Sequence, residues 1–169
     1  MRIIGIDPGY AIVGYGIIDY DNFSYKTVSY GAVTTKAGED FSFRLESIYN
    51  DIVTLIQKHK PDCMSIERLY FNTNTTTAID VAQARGVILL AAQKNGVSVF
   101  EYTPLQVKQS ITGYGKAENR QVMEMGKTFL SLNVIPKPDD TADALALAIC
   151  HAHCSGSVYK NLLKEVNKK

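Results

Sequence analysis

The chain has 169 residues, 46% hydrophobic and 21% charged, which excludes a disordered segment and fits one domain with a substantial core. A formal net charge of +1 excludes a uniformly basic nucleic-acid binder, so any such role must rest on a local patch of Lys and Arg. The start, MRIIGIDPG, lacks the apolar run of a signal peptide and no segment approaches a membrane span, so the expectation is a cytoplasmic protein with no membrane partner.

Arg2–Ile6 is a short apolar run halted by Pro8-Gly9, which predicts a buried strand ending at Asp7. Ile12–Tyr20 and Tyr25–Thr34, mixing β-branched, aromatic and small residues around Asp21-Asn22, predict an antiparallel hairpin continuing from it. Phe41–His59 places Leu45, Ile48, Ile52, Leu55 and Ile56 near a 3.6-residue period, an amphipathic helix closed by Pro61. Cys63–Ile66 predicts the next strand, running into Glu67. A polar loop, Asn72–Thr77, then leads to a long helix, Ala78–Lys94, that stops at Asn95-Gly96. Val97–Tyr102 predicts a fifth strand. Helices over Pro104–Ile111 and Glu118–Leu130 follow, separated by the turn Gly113-Tyr114-Gly115. Asp140–His153 predicts the last well-formed helix. The Lys-rich tail, Ser155–Lys169, is expected to fray although Val158, Leu162 and Val166 keep helical spacing. The whole reads as one α/β unit over residues 1–154 with a basic C-terminal tail over 155–169. Its five-stranded mixed sheet, an antiparallel meander plus parallel strands, should be flanked by helices.

Four acids stand out against this frame. If the fourth strand lies parallel beside the first, Asp7 and Glu67 emerge at one sheet edge, on strands about 4.8 Å apart. The carboxyl ends of strands are also where α/β sheets bind ligands. Asp140 and Asp143 sit three apart where a helix begins. Oxygen donors of this kind suit hard divalent cations. Two Mg²⁺ ions, roughly 3.5–4 Å apart, would clamp an in-line phosphoryl displacement, with Asp7 bridging, Glu67 on one ion, and Asp140 with Asp143 on the other. Singly, each acid has a plainer explanation: Asp7 can build a turn before Pro-Gly, and Asp139 or Asp140 can cap a helix. Asp143 resists such a reading because it leads directly into the apolar run Ala144–Ile149. The joint pattern favours a metal site.

Other features divide between chemistry and packing. Cys63, Cys150 and Cys154 lack the spacing of a disulfide framework and read as reduced thiols. Cys150, His151, His153 and Cys154 crowd together, yet on one helix only Cys150 and Cys154 share a face, so a packed helix end is favoured over zinc. Tyr70 follows Glu67 and could stack on an unpaired base, while Phe71 packs beneath the loop by strand alternation. Lys108, Lys116 and Arg120 flank the glycine turn as a phosphate-gripping patch. The Ala78–Lys94 helix is apolar beyond one stripe and rich in small residues, which suits either a core helix or a two-fold dimer interface; the dimer is favoured.

Several stretches taken together carry a resemblance. They are DPG after the first strand, IERLYF at Ile66–Phe71, VAQARG at Val81–Gly86, VKQSITGYGKAEN at Val107–Asn119 and DDTADALALAICHAH at Asp139–His153. In this unbroken order, from Met1 to about His153, the chain resembles the RuvC family, bacterial Holliday-junction resolvases of the RNase H-like fold. The resemblance implies a homodimer that cuts two opposing strands of a four-way DNA junction symmetrically, with Mg²⁺, leaving a 5′-phosphate, in recombination and repair. It places the catalytic acids on Asp7, Glu67, Asp140 and Asp143. Some members carry His at the third position, so Asp140 is the least constrained. It matches a DNA-contacting aromatic to Tyr70 and a lysine to Lys108. A second basic position of some relatives falls on Asn119, with Lys116 and Arg120 beside it. Mn²⁺ is expected to substitute for Mg²⁺, and the RuvA–RuvB branch-migration complex is the implied partner. Competing readings are a hybrid-cleaving ribonuclease of the same fold, a non-catalytic junction binder, and an actin-like phosphotransferase, for whose second lobe 169 residues leave no room.

Overall fold

The computed structural model describes residues 1–69 and 77–166, with side chains described through residue 156. Five strands form one sheet: β1 (Arg2–Asp7), β2 (Ile12–Asp21), β3 (Ser24–Thr34), β4 (Cys63–Glu67) and β5 (Ser98–Tyr102). Their order is β3-β2-β1-β4-β5. β1, β2 and β3 pair antiparallel, whereas β4 lies parallel to both β1 and β5. The expected α/β mixed sheet is thus found. The β2–β3 turn is displaced by one residue from its expected centre. Asn22 and Phe23, both at positive φ (46° and 64°), make the reversal and leave Asp21 paired with Ser24. Two consecutive left-handed residues match the right-handed twist of the strands they join.

Alternation along the strands gives the sheet two unlike faces. Ile4, Ile6, Val13, Ile17, Met64 and Ile66 form one, covered by α1 (Phe41–His59) and α2 (Ala78–Lys94). α1 starts where Asp40 accepts hydrogen bonds from the N–H and hydroxyl of Ser42, and ends at left-handed Lys60. Between those caps Ile48, Ile52 and Ile56 recur every fourth residue and are buried. α2 buries Ala84, Ile88, Ala91 and Ala92, and packs on α1.

The opposite face carries α3 (Pro104–Thr112), α4 (Asn119–Phe129) and α5 (Asp139–Val166). Capping boxes, Thr103 with Gln106 and Glu118 with Gln121, set the starts of α3 and α4, and Gly113 ends α3 at φ 75°. α5 is longer than expected. Its helix continues from the site into the segment read as a tail, because helical spacing persists there and neither Pro nor a left-handed residue stops it. Among the described residues, no helix is long and apolar enough to cross a membrane.

Candidate active site

The parallel pairing of β1 with β4 sets Ile3 opposite Cys63 and Ile6 opposite Ile66, so Asp7 and Glu67 leave the sheet side by side. Both carboxylates lie on the α5 face. Asp7 shares its side of β1 with Gly5, and Glu67 shares its side of β4 with Ser65. Bringing a helix backbone close to those acids requires a bare surface. A Cβ on Gly5 would sit 1.9 Å from the carbonyl oxygen of Ala144, and one on Gly14 would sit 2.0 Å from that of Asp140. One on Gly16 would strike the Leu145 side chain at 2.6 Å. The glycines of β1 and β2 therefore form a track into which the first turns of α5 settle. Two hydroxyls fix the helix along it. Ser65 Oγ donates to the Leu147 carbonyl at 2.7 Å, and Thr141 Oγ1 donates to the Gly31 carbonyl at 3.0 Å. Neither these hydroxyls nor the glycine track figured among the residues expected to matter. Glycine at alternate strand positions, opposite an alanine-rich helix, is the signal that would have found the track.

Electrostatics link the four acids into one cluster. Burial, followed by the charges of Glu67, Asp143 and Asp140, pushes the Asp7 carboxyl up to about 8. Burial likewise raises Glu67, with part of the rise offset by a hydrogen bond from Asp7. Asp143 is pushed up to about 6, again by burial first and then by Glu67, Asp140 and Asp139, while Lys108 opposes the shift. Half-buried carboxylates that crowd one another in this way lack a positive partner of sufficient charge. A hard divalent cation is the group whose chemistry matches an all-carboxylate donor set. Among the described residues, no group of three or more His, Cys, Asp or Glu side chains stands close enough to hold a metal ion by itself.

A cavity of about 300 Å³ opens beside the acids, lined by Glu67, Asp143, Lys108 and Asn119 over an apolar floor that includes Val107 and Leu147. Lys108 thus faces the cluster. Asn119 also stands in the wall, whereas Lys116 and Arg120 are exposed and do not line it. Asp139 pairs with Lys137 at the surface. Tyr70, Phe71 and the 72–76 part of the polar loop lie outside the described residues. The Cys/His group at the helix end disperses into packing contacts. His151 Nδ1 meets the Tyr102 hydroxyl at 2.7 Å, His153 Nδ1 meets Ser110 Oγ at 2.9 Å, and the Cys150 thiol, pushed up to about 12 by burial, faces the Gln106 carbonyl.

Residues 3–151 match the family described as crossover junction endodeoxyribonuclease RuvC. A protein of that name from Clostridioides difficile is 58% identical over 153 residues, covering 90% of each chain. Another, from Ruminiclostridium cellulolyticum, is 53% identical over 95% of this chain and 98% of its own. Among solved structures, Thermus thermophilus RuvC in complex with a Holliday junction substrate superposes with a TM-score of 0.87 at 31% identity, over 92% of this chain and 94% of that one.

Proposed function

Since the chain belongs to the RuvC family of crossover junction endodeoxyribonucleases, we propose that it resolves four-way DNA junctions by symmetric, paired, Mg²⁺-dependent nicks in recombination and repair. The observation that carries this reading is the clustering of Asp7, Glu67 and Asp143 with Asp140, whose charges add to burial in pushing Asp7 up to about 8. Two Mg²⁺ ions, or Mn²⁺ in their place, would supply an activated water and stabilisation of the leaving oxygen. Asp7, on the central strand, would be the carboxylate shared between the ions. Glu67 faces it from β4, and Asp140 with Asp143 complete the donor set from α5. Because that set spans three elements, it exists only in the folded chain.

Lys108 holds a phosphate of the cut strand at the cavity wall, and Asn119 beside it offers an amide hydrogen bond where a charge would otherwise stand. Lys116 and Arg120 extend the grip outward along the duplex, and Tyr70 stacks on a base at the branch point; both assignments rest on sequence. Paired cuts need two sites related by a two-fold axis. Ile79 and Leu90 of α2 and Phe100 of edge strand β5 are 65%, 52% and 43% exposed, and a homodimer through this side would cover them. The nuclease unit spans residues 1–154, with 155–169 as an appended basic segment. Cys63, Cys150 and Cys154, none of them in a disulfide, suit the reducing cytoplasm, where the RuvA–RuvB complex would deliver the junction.

The test mixes the protein with a synthetic mobile junction and a linear duplex, in Mg²⁺ or EDTA, alongside Asp7→Asn. Paired nicks should arise in the junction only, only with Mg²⁺, and not with the variant, which still binds junction. Equal cleavage by Asp7→Asn, or by wild type in EDTA, would refute the assignment.

A further inference from the structure

Glu67 is the last residue of β4, so the peptide unit between it and Arg68 has one foot outside the sheet. Both polar atoms of that unit are nonetheless held. The Arg68 N–H donates to the Tyr102 carbonyl of β5 at 2.8 Å, and the Glu67 carbonyl accepts from Arg85 Nε at 3.0 Å. The second contact comes from the far side of the sheet. Arg85 belongs to α2, which covers the isoleucine face, whereas the Glu67 carboxylate lies on the α5 face. The same guanidinium forms an ion pair through its NH2 with Glu101 of β5, and its side chain is only 14% exposed. A planar fork holding two acceptors at once has little freedom to swing.

We propose that Arg85 is a positioning residue for the active site, fixing the Glu67–Arg68 peptide plane so that the orientation of the Glu67 carboxylate depends on the seating of helix α2. With the carbonyl and N–H of one peptide both tied, rotation about the Glu67 backbone is blocked and its Cα–Cβ bond keeps one direction. Without the guanidinium, the Glu67 carbonyl loses its charged donor at the point where the ladder ends, and the strand terminus is free to turn. The consequence falls on cation binding rather than on DNA binding, because Arg85 faces away from the acid cluster and the cavity beside it. α2 also carries the exposed Ile79 and Leu90, so whatever covers that side bears on the helix from which Glu67 is held.

This role rests on the reading of Glu67 as a metal ligand, and one experiment separates the two. Junction cleavage and the metal-induced rise in Tm are measured against Mg²⁺ concentration for wild type, Arg85→Ala, Arg85→Lys and Glu67→Gln, with junction binding measured in EDTA. Arg85→Ala should bind junction as wild type does but need about tenfold more Mg²⁺ for half-maximal cleavage, the scale on which losing a ligand's outer partner acts. Arg85→Lys keeps a charge against Glu101 but not the planar fork, and should shift the midpoint in the same direction by less. An unshifted Mg²⁺ midpoint in Arg85→Ala, or in Arg85→Lys if only that variant folds, overturns the positioning role and leaves the metal reading standing. Lower activity in strict proportion to the folded fraction, at an unchanged midpoint, overturns it too. A wild-type Mg²⁺ response in Glu67→Gln removes Glu67 from the ligand set, and the role of Arg85 falls with it.

Discussion

The two faces of the sheet solve different problems. On the α1–α2 face, Ile4, Ile6, Ile17, Ile48, Ile52 and Ile66 interlock with no polar atom to satisfy, and burial there stabilises the fold. On the α5 face the strands give up side chains at Gly5, Gly14 and Gly16, so that a helix backbone reaches contact distance and sets Asp140 and Asp143 against Asp7 and Glu67. Away from Arg85, the first face tolerates change in proportion to lost volume. The second tolerates almost none, since its purpose is the distance between charges.

Gly14→Val breaks this contrast most severely. Its side chain would collide with the Asp140 backbone and push the first turn of α5 off the sheet. Misplacement of catalytic groups by about 1 Å costs on the order of 100-fold in rate, so cleavage per folded molecule should drop by at least that factor. Retained activity would mean that the close approach is incidental. On the other face, Ile52→Ala should cost about 2–5 kcal/mol of stability, read by urea denaturation, yet leave cleavage and its Mg²⁺ midpoint unchanged per folded molecule. Equal losses in both variants would erase the distinction between the faces.

A pH series sharpens the comparison from the charged side. In the metal-free protein Asp7 is raised to about 8 and Asp143 to about 6, while the unfolded carboxyls titrate near 4. Between those limits the folded state holds protons that the unfolded state has released, so stability should fall as pH rises from about 4 through 8. Mg²⁺ favours the ionised acids and should flatten the decline, and Asp7→Asn should remove much of it without metal. Urea melts at the two ends of the range check this. Metal-free stability that climbs with pH would contradict the crowding of the acids.

What the sequence made legible follows the range of the forces involved. α1 and α2 begin and end at the expected residues because local signals decide them: the Asp40 cap, the left-handed Lys60 before Pro61, and the turn at Asn95-Gly96. The strands follow from short apolar or β-branched runs bounded by turn residues, and the joining of Asp7 to Glu67 follows from a parallel crossover. Less legible were features that depend on partners far along the chain. The glycine track has meaning only opposite α5, Thr141 only beside Gly31, 110 residues away, and the Arg85 guanidinium only beneath the Glu67 carbonyl. The basic residues show the same divide. Their cluster around the glycine turn is plain in sequence, but that Lys108 and Asn119 face the cavity while Lys116 and Arg120 do not is set by how α3 and α4 pack.

If carboxylates from β1, β4 and α5 share bound cations, metal binding must displace the protons those acids hold. Calorimetric Mn²⁺ titrations at pH 7, in buffers of differing ionisation enthalpy, count the protons displaced. With Asp7 raised to about 8, binding should expel close to one proton per site, fewer as pH is raised past 8, and almost none from Asp7→Asn. Saturable binding with no proton release in wild type, or the same release from Asp7→Asn, would contradict the account.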